Sequence, residues 1–419
     1  MNKQTRREFL KTGLSTMGAI MSAPMLLSYL ARQAEAAPRT VGSSKILVLV
    51  QLSGGNDGLN TVIPYTDPAY LKLRPAIGIK PDAVLKLNDK IGLNPNMGPF
   101  QDLHKAGKLA IIQGVGYPNP NRSHFRSIEI WQTAEPVKVK ETGWIGRYLD
   151  LANSGKSTAD NIFPAINVDP ILPKTLSAQK VVVPSISDIK NFTFKADPRY
   201  EADRALRLET FNNIYQNYPA VKANSHPYVE ELRRVGLDTT EASRSIAKMV
   251  ADYKSDVKYP NNGFGRGLQF ISQLIAGGVN CGIYNITLGG FDTHTNEQRG
   301  HENLFRTLCQ GIQAFQSDLE NHNLDKDVIV MTFSEFGRRV AENGGRGTDH
   351  GAAAPMFVIG SSVKGGIIGD QPSLTDLDDG DLKYKIDFRS VYATILDKWL
   401  HADSKSILLD KYDQLPLFA

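Results

Sequence analysis

Acidic and histidine residues follow three apolar runs of this 419-residue chain. Lys45–Leu52 leads into Ser53-Gly54-Gly55-Asn56-Asp57-Gly58, and Cys281–Leu288 leads into Gly289-Gly290-Phe291-Asp292-Thr293-His294. Val328–Phe333 leads into Ser334-Glu335-Phe336-Gly337-Arg338, and Thr348-Asp349-His350-Gly351 follows a short loop later. Asp292 and His294 are two residues apart, so in extended chain they project to the same side. Carboxylate and imidazole together suit zinc, manganese or iron, whereas magnesium or calcium prefers oxygen alone. One or two divalent ions are therefore expected, zinc first among them, with Asp57, Asp292, His294, Glu335 and His350 as ligands. The competing reading is structural: Gly-Gly-Asn-Asp-Gly also makes an ordinary turn, and Asp349-His350 also suits an exposed glycine-rich loop.

A second constellation is Arg122-Ser123-His124, with Arg126 beyond it. Serine at the start of a helix is ordinarily a cap. The same place favours an anion or a developing alkoxide, and a hydroxyl activated beside a metal ion can attack an ester. Ser123 is thus the candidate nucleophile and Arg122 the candidate stabiliser of developing charge. Asn56, His124 and Arg338 are candidates for holding substrate. No Gly-x-Ser-x-Gly elbow is present, and neither Gly-x-Gly-x-x-Gly after a strand nor Cys-x-x-Cys-His supports a redox protein.

These residues need strands that end at a common edge. The apolar runs read as strands over 45–52, 281–288 and 328–333, and helix 297–321 between the last two gives the rhythm of a parallel sheet. In such sheets ligands gather beyond the carboxyl ends of the strands. Leu109–Gln113 reads as another strand, preceded by a helix starting at Asn94-Pro95-Asn96 and followed by a turn-rich loop, Gly114–Asn121. Ser123 opens a helix whose apolar contacts are expected from Phe125, Ile128, Ile130 and Trp131. Further expectations are helix 264–276, a short strand in Gln179–Pro184, strand Met356–Ile359, and a closing helix Asp387–Leu400 capped by Asp387. Residues 150–260, with helical patterns over Pro198–Tyr218 and Pro227–Tyr253, read as a helical insertion or cap.

The chain carries a formal charge of +4, but five basic and only two acidic residues fall in its first 36, so the remainder is close to neutral. That balance excludes an electrostatic case for nucleic acid. Cys281 and Cys309 are too few for a disulfide scaffold. Thr5-Arg6-Arg7-Glu8-Phe9-Leu10-Lys11, a modestly apolar stretch to Leu30 and Ala34-Glu35-Ala36 resemble a twin-arginine export signal. Cleavage after Ala36, passage through the twin-arginine translocase, a linker over 37–44 and a periplasmic or secreted mature protein are expected. Gly13, Ser15, Thr16, Gly18, Ser22 and Pro24 argue against a stable membrane span after cleavage.

The leader, the Ser-Gly-Gly-Asn-Asp-Gly run ending at Gly58, Arg122-Ser123-His124-Phe125, Gly290–His294, Phe333–Arg338 and Thr348–Gly351 together resemble a bacterial family called domain of unknown function 1501. The resemblance covers nearly the whole mature chain. It implies an α/β, alkaline phosphatase-like fold, over 45–419, related to sulfatases and metal-dependent phosphomutases: a central mixed, mostly parallel sheet flanked by helices. By that resemblance Asp57 matches the acid after the first strand and Ser123 falls near the nucleophile position. Asp292 with His294 match the acid–histidine pair of one metal, Glu335 the acid of the other, and His350 the late histidine. Glu335-Phe336 stands where that superfamily often shows Asp-His or Asp-Asn, removing one ligand. Neither cysteine begins Cys-x-Pro-x-Arg, which disfavours a formylglycine sulfatase. The expected function is an exported, metal-dependent hydrolase of phosphate or sulfate esters. The alternative is an inactive periplasmic protein of the same fold that binds a small anionic ester, an envelope glycan or a partner.

Overall fold

A computed structural model describes residues 45–154, 164–181, 183–186 and 252–418, together with Glu209, Thr210 and Asn213. The leader and linker lie outside the described residues, and so do almost all of the two helical patterns read over 198–218 and 227–253.

Eight strands form the central sheet: β1 (Ile46–Ser53), β2 (Leu109–Gly116), β3 (Ala165–Asn167), β4 (Ile283–Gly289), β5 (Val328–Phe333), β6 (Ala354–Ile359), β7 (Gly366–Ile368) and β8 (Ile386–Asp387). Their order is β7-β2-β6-β5-β1-β4-β3, with β8 also paired to β2. Only β6 runs antiparallel to its neighbours. β4, β1 and β5 are adjacent and parallel, so their carboxyl ends share one edge. β2 runs the same way, and the loop joining β5 to β6 lies at that edge too. The sheet is mixed and mostly parallel, as the family resemblance implied.

Helices cover both faces. Among the described residues they are, in chain order, α1 (Gly58–Thr61), α2 (Pro68–Leu73), α3 (Gly98–Lys105), α4 (His124–Thr133), α5 (Trp144–Ala152), α6 (Gly263–Ala276), α7 (Glu297–Asn321), α8 (Phe388–Thr394) and α9 (Ser404–Leu408). Because strand side chains alternate, β1 serves two cores. Val48 and Val50 join Leu268, Ile271, Phe305 and Ile312 of α6 and α7, whereas Leu47 and Leu49 join Trp131, Trp144 and Tyr392 of α4, α5 and α8. A strand apolar on both faces must be central, and β1 is.

Several local expectations change. Gln179–Pro184 contains no assigned strand among its described residues; the pairing there is one isolated bridge, Asn167 to Ser185. Ala165–Asn167, inside the region read as an insertion, is instead the edge strand of the central sheet. β2 continues to Gly116, using three residues of the expected loop. Helix α3 begins at Gly98, after the Asn-Pro-Asn turn. Phe125 is 91% exposed, whereas Ile130 and Trp131 supply the apolar contacts of α4. The closing helix is capped by Asp387 through Arg389 N, but after Thr394 it widens into a π turn over Ile395–Trp399. Cys281 and Cys309 are buried and form no disulfide. Among the described residues no helix is long and apolar enough to cross a membrane.

The turn after β1 has no room for a side chain. Gly54 has φ +122°, and a Cβ there would stand 2.3 Å from the Asp292 backbone nitrogen. Gly54→Ala should cost about 1–3 kcal/mol in urea unfolding. Gly263→Ala, at a helix start with nothing within 4 Å, should be neutral or stabilising by up to about 1 kcal/mol. Equal effects of the two changes would contradict this packing.

Candidate metal centre

The carboxyl edge of the sheet gathers residues from three of the loops picked out in the sequence, and from the start of α4. Asp292 is the focus, with a side chain 49% exposed. Its Oδ1 lies 3.1 Å from His294 Nε2, 3.3 Å from His350 Nε2 and 3.5 Å from His124 Nε2. His294 Nε2 and His350 Nε2 are 2.9 Å apart. The ligand atoms of His124, Asp292 and His350 all lie within 4.8 Å of one another.

Each imidazole is turned by an oxygen behind it. His124 Nδ1 meets Glu335 Oε1 at 3.0 Å, His294 Nδ1 meets Asp349 Oδ1 at 3.2 Å, and His350 Nδ1 meets the Arg122 carbonyl at 2.8 Å. An acceptor thus stands at each Nδ1, and the Asp292 carboxylate oxygen stands before each Nε2. Three Nε2 atoms surround one carboxylate oxygen. His124 Nε2 is buried and makes no hydrogen bond. Burial, followed by the Arg338 charge, pushes His350 below the ordinary imidazole value. Partial burial opposes ionisation of Asp292, but the Arg338 hydrogen bond and charge outweigh it and hold the carboxylate ionised.

Phe336 and Arg338 explain the Phe-Gly-Arg run. The Phe336 ring packs 4.9 Å from the His124 ring and 4.6 Å from that of His350, measured between centroids, and so braces both. Gly55 has φ +82°, and a Cβ there would sit 2.2 Å from Phe336. Arg338 is buried and spends its donors on protein: Gly55 O at 2.7 Å, Thr348 O at 2.9 Å, Phe291 O at 3.0 Å, Asp292 Oδ1 at 2.8 Å and also Gly54 O. It is buried among these groups and holds the loops together.

The other residues picked out by sequence divide. Glu335 is buried behind His124, accepting Gly54 N at 2.7 Å. Asn56 is buried and pairs with Thr61. Arg122 binds Asp379 and Asp381 at 2.7–3.0 Å. Ser123 caps α4 by backbone conformation alone, since its exposed side chain makes no capping hydrogen bond.

Asp57 stands apart from the exposed group. It is fully buried, caps α1 through Leu59 N, and forms a two-pronged ion pair with Arg74, whose Nη2 is 2.9 Å from Oδ1. Its ligand atoms group with Glu297 and His301. Glu297 Oε1 accepts Asn60 Nδ2 at 3.1 Å, and Oε2 accepts the Thr293 hydroxyl at 3.1 Å and the Thr348 hydroxyl. Burial, then the neighbouring Asp57 charge, pushes Glu297 up to about 9, so it is neutral at pH 7. Burial works against the charge on Asp57, yet Arg74 overcomes it and holds Asp57 low, at about 2. Burial lowers His301 to about 4, leaving it neutral. One guanidinium serves one carboxylate, and the second carboxyl keeps its proton.

Residues 44–409 match the family described as Protein of unknown function (DUF1501). The chain belongs to that family. No curated protein matches it in sequence. Among solved structures it is similar to the PsFucS1 sulfatase from Pseudoalteromonas sp. at 12% identity and TM-score 0.37, over 94% of this chain and 74% of that one. It is similar to a protein in the alkaline phosphatase superfamily from Vibrio parahaemolyticus at 10% identity and TM-score 0.35, over 83% and 71%. It is also similar to the C-terminal periplasmic domain of EcEptC from Escherichia coli at 10% identity and TM-score 0.36, over 90% and 92%. What this DUF1501 chain can do rests on its own side chains.

Sequence reasoning missed Glu297, Arg74, Asn60 and the two threonines. Glu297 three residues past His294 reads as a first-turn helix acid, and Arg74 before Pro75 reads as an exposed charge. Only the topology brings them together.

The Asp57–Glu297 pair has a pH signature. A carboxyl raised from about 4.5 to about 9 adds stability that is complete below the lower value and lost as pH rises through the upper one. Denaturant unfolding of the wild type should therefore lose ground to Glu297→Gln steadily between about pH 5 and 9. Parallel pH profiles for the two proteins would show that Glu297 is ionised in the native state.

Proposed function

We propose that this DUF1501 chain is an exported, metal-dependent hydrolase of phosphate or sulfate esters, its divalent metal held by His124, Asp292, His294 and His350. The observation that supports this most is the convergence of three Nε2 atoms on Asp292. His294 Nε2 and His350 Nε2 lie 2.9 Å apart, within hydrogen-bond distance of each other, and a cation could take the place of the proton between them. Tetrahedral zinc, with bonds of about 2.0–2.1 Å, separates its ligand atoms by roughly 3.3 Å. The 3.1–3.5 Å spacings around Asp292 Oδ1 are close to that requirement, and the mutually close ligand atoms are those of His124, Asp292 and His350. Three imidazoles and a carboxylate favour zinc, then iron or manganese, over magnesium or calcium.

A bound divalent ion would polarise an ester oxygen and acidify a hydroxyl or water beside it. The protein supplies the rest. Glu335, Asp349 and the Arg122 carbonyl fix the three imidazoles, as outer partners of ligating histidines do. Ser123, exposed at the amino end of the ten-residue helix α4, is the hydroxyl available to attack or to orient water. Asp57 and Glu335, matched to ligand positions by resemblance, are assigned here to supporting roles. Asp57 belongs to Arg74, and Glu335 belongs to His124.

A second reading has its own observation. Arg338, Asn56 and Arg122 are all engaged by protein groups, so the guanidinium groups picked out by sequence hold loops instead of reaching toward a transferred phosphoryl or sulfuryl group. That favours a protein that binds metal and an anionic ligand without turning it over. Export through the twin-arginine translocase belongs to both readings, on the strength of Arg6-Arg7 and Ala34-Glu35-Ala36.

Elemental analysis of periplasmic protein purified without chelator, with assays on an aryl phosphate and an aryl sulfate, tests these readings. Bound metal is expected. His124→Ala or His350→Ala should weaken it by roughly a hundredfold or more. Ser123→Ala should lower turnover by about a hundredfold or more with metal content unchanged. Sequencing the same preparation should find Ala37 first. Metal with no turnover on either ester selects the binder; protein that takes up no metal on titration ends both readings. A periplasmic amino terminus still at Met1 would refute the cleaved leader.

A further inference from the structure

We infer that Glu297 is a positioning residue for the metal centre, its buried carboxyl fastening together the three strand-end loops that carry and support the ligands. This rests on the metal-centre reading above and extends it to a side chain outside the ligand set.

The geometry is specific. Thr293 lies between Asp292 and His294, and alternation along extended chain turns it inward as its neighbours turn outward. It is 7% exposed, and its hydroxyl donates to Glu297 Oε2 at 3.1 Å. Thr348, two residues before His350 and fully buried, donates to the same oxygen. Asn60, in α1 beyond β1, donates to Oε1 at 3.1 Å, and its own Oδ1 is fixed by Tyr70 at 2.6 Å. One carboxyl group therefore takes one bond from each loop, beyond β1, β4 and β5. Thr348 N also donates to Thr293 O at 3.2 Å, and Asn343 Nδ2 to His294 O at 3.0 Å, so the two ligand loops lie edge to edge above it.

The chemistry selects a neutral carboxyl. Arg74 is the cation in direct contact here, and it is committed to Asp57, Val340 O at 2.8 Å and Arg339 O at 2.9 Å. A protonated Glu297 can accept all three bonds and still give its proton toward Asp57. Glutamine can keep both threonine bonds, on the loops that carry the ligands, and donate toward Asp57, giving up only the Asn60 bond. Alanine keeps none of them. The contrast between Gln and Ala separates positioning from charge, because an anionic ligand or counter-ion would fail equally in both variants.

The test uses full-chain Glu297→Gln, Glu297→Ala and Thr348→Val, the last nearly isosteric and lacking only the hydroxyl. Zinc affinity is measured by competition with a chromophoric chelator. Amide hydrogen exchange over 291–295 and 347–351 is measured on metal-free protein. Glu297→Ala should weaken zinc by about tenfold or more and speed exchange in both loops. Thr348→Val should do the same more weakly, about threefold, and Glu297→Gln should stay near wild type. Unchanged zinc affinity and exchange in Glu297→Ala would overturn the inference. So would a loss in Glu297→Gln as large as in Glu297→Ala, or the loss of one bound zinc equivalent, which would make Glu297 a ligand. If Glu297→Ala does not fold, Thr348→Val decides by the same criteria. A wild type that takes no zinc removes the metal reading alone; exchange then judges the fastening, and unchanged loops refute it.

Discussion

The arrangement at the sheet edge depends on the buried guanidinium of Arg338. Strands that end together leave carbonyls without a ladder partner, and buried carbonyls must be satisfied. Arg338 collects four of them, Gly54, Gly55, Phe291 and Thr348, and adds the Asp292 carboxylate. These come from the loops after β1, β4 and β5. The glycines at 54 and 55 take positive φ angles, which places two of the carbonyls within its reach. Each buried carbonyl left unpaired would cost about 1–3 kcal/mol. No lysine could replace it, since the task needs a planar fork with several fixed directions.

Charge at this edge is sorted into two layers. The outer layer is partly exposed and carries Asp292 and the three histidines. The inner one is dry and holds Asp57 with Arg74, beside Glu297 and His301. Burial would make two adjacent carboxylates intolerable, and the inner layer resolves this with one ion pair and one retained proton. Thr293 and Thr348 connect the layers, each in a loop that also supplies outer side chains. The scaffold thus fixes the outer histidines through rigid, neutral hydrogen bonds as well as through Arg338.

Much of this was legible from sequence, for a definite reason. The runs before Asp57, Asp292 and Glu335 are mostly apolar and rich in β-branched residues, so their strands and their common edge follow from pattern. The resemblance to DUF1501 pointed to the same segments. Function within each segment was less legible. Asp57 and Asp292 both follow a strand and a Gly-Gly pair, yet one is buried against Arg74 and the other is half-exposed among histidines. What separates them is a partner seventeen residues along, which spacing does not reveal. Sequence suggests only a substrate contact for His124, because it sits beside Ser123 at a helix start. Its carboxylate partner, Glu335, lies 211 residues away.

The central claim is that one divalent ion belongs among His124, Asp292, His294 and His350. Anomalous diffraction at the zinc edge, from crystals grown with zinc and no chelator, tests it most directly. The account predicts one peak bonded to Asp292 and to surrounding Nε2 atoms at about 2.0–2.1 Å. A peak at Asp57, Glu297 and His301 instead, or none at saturating zinc, would contradict it.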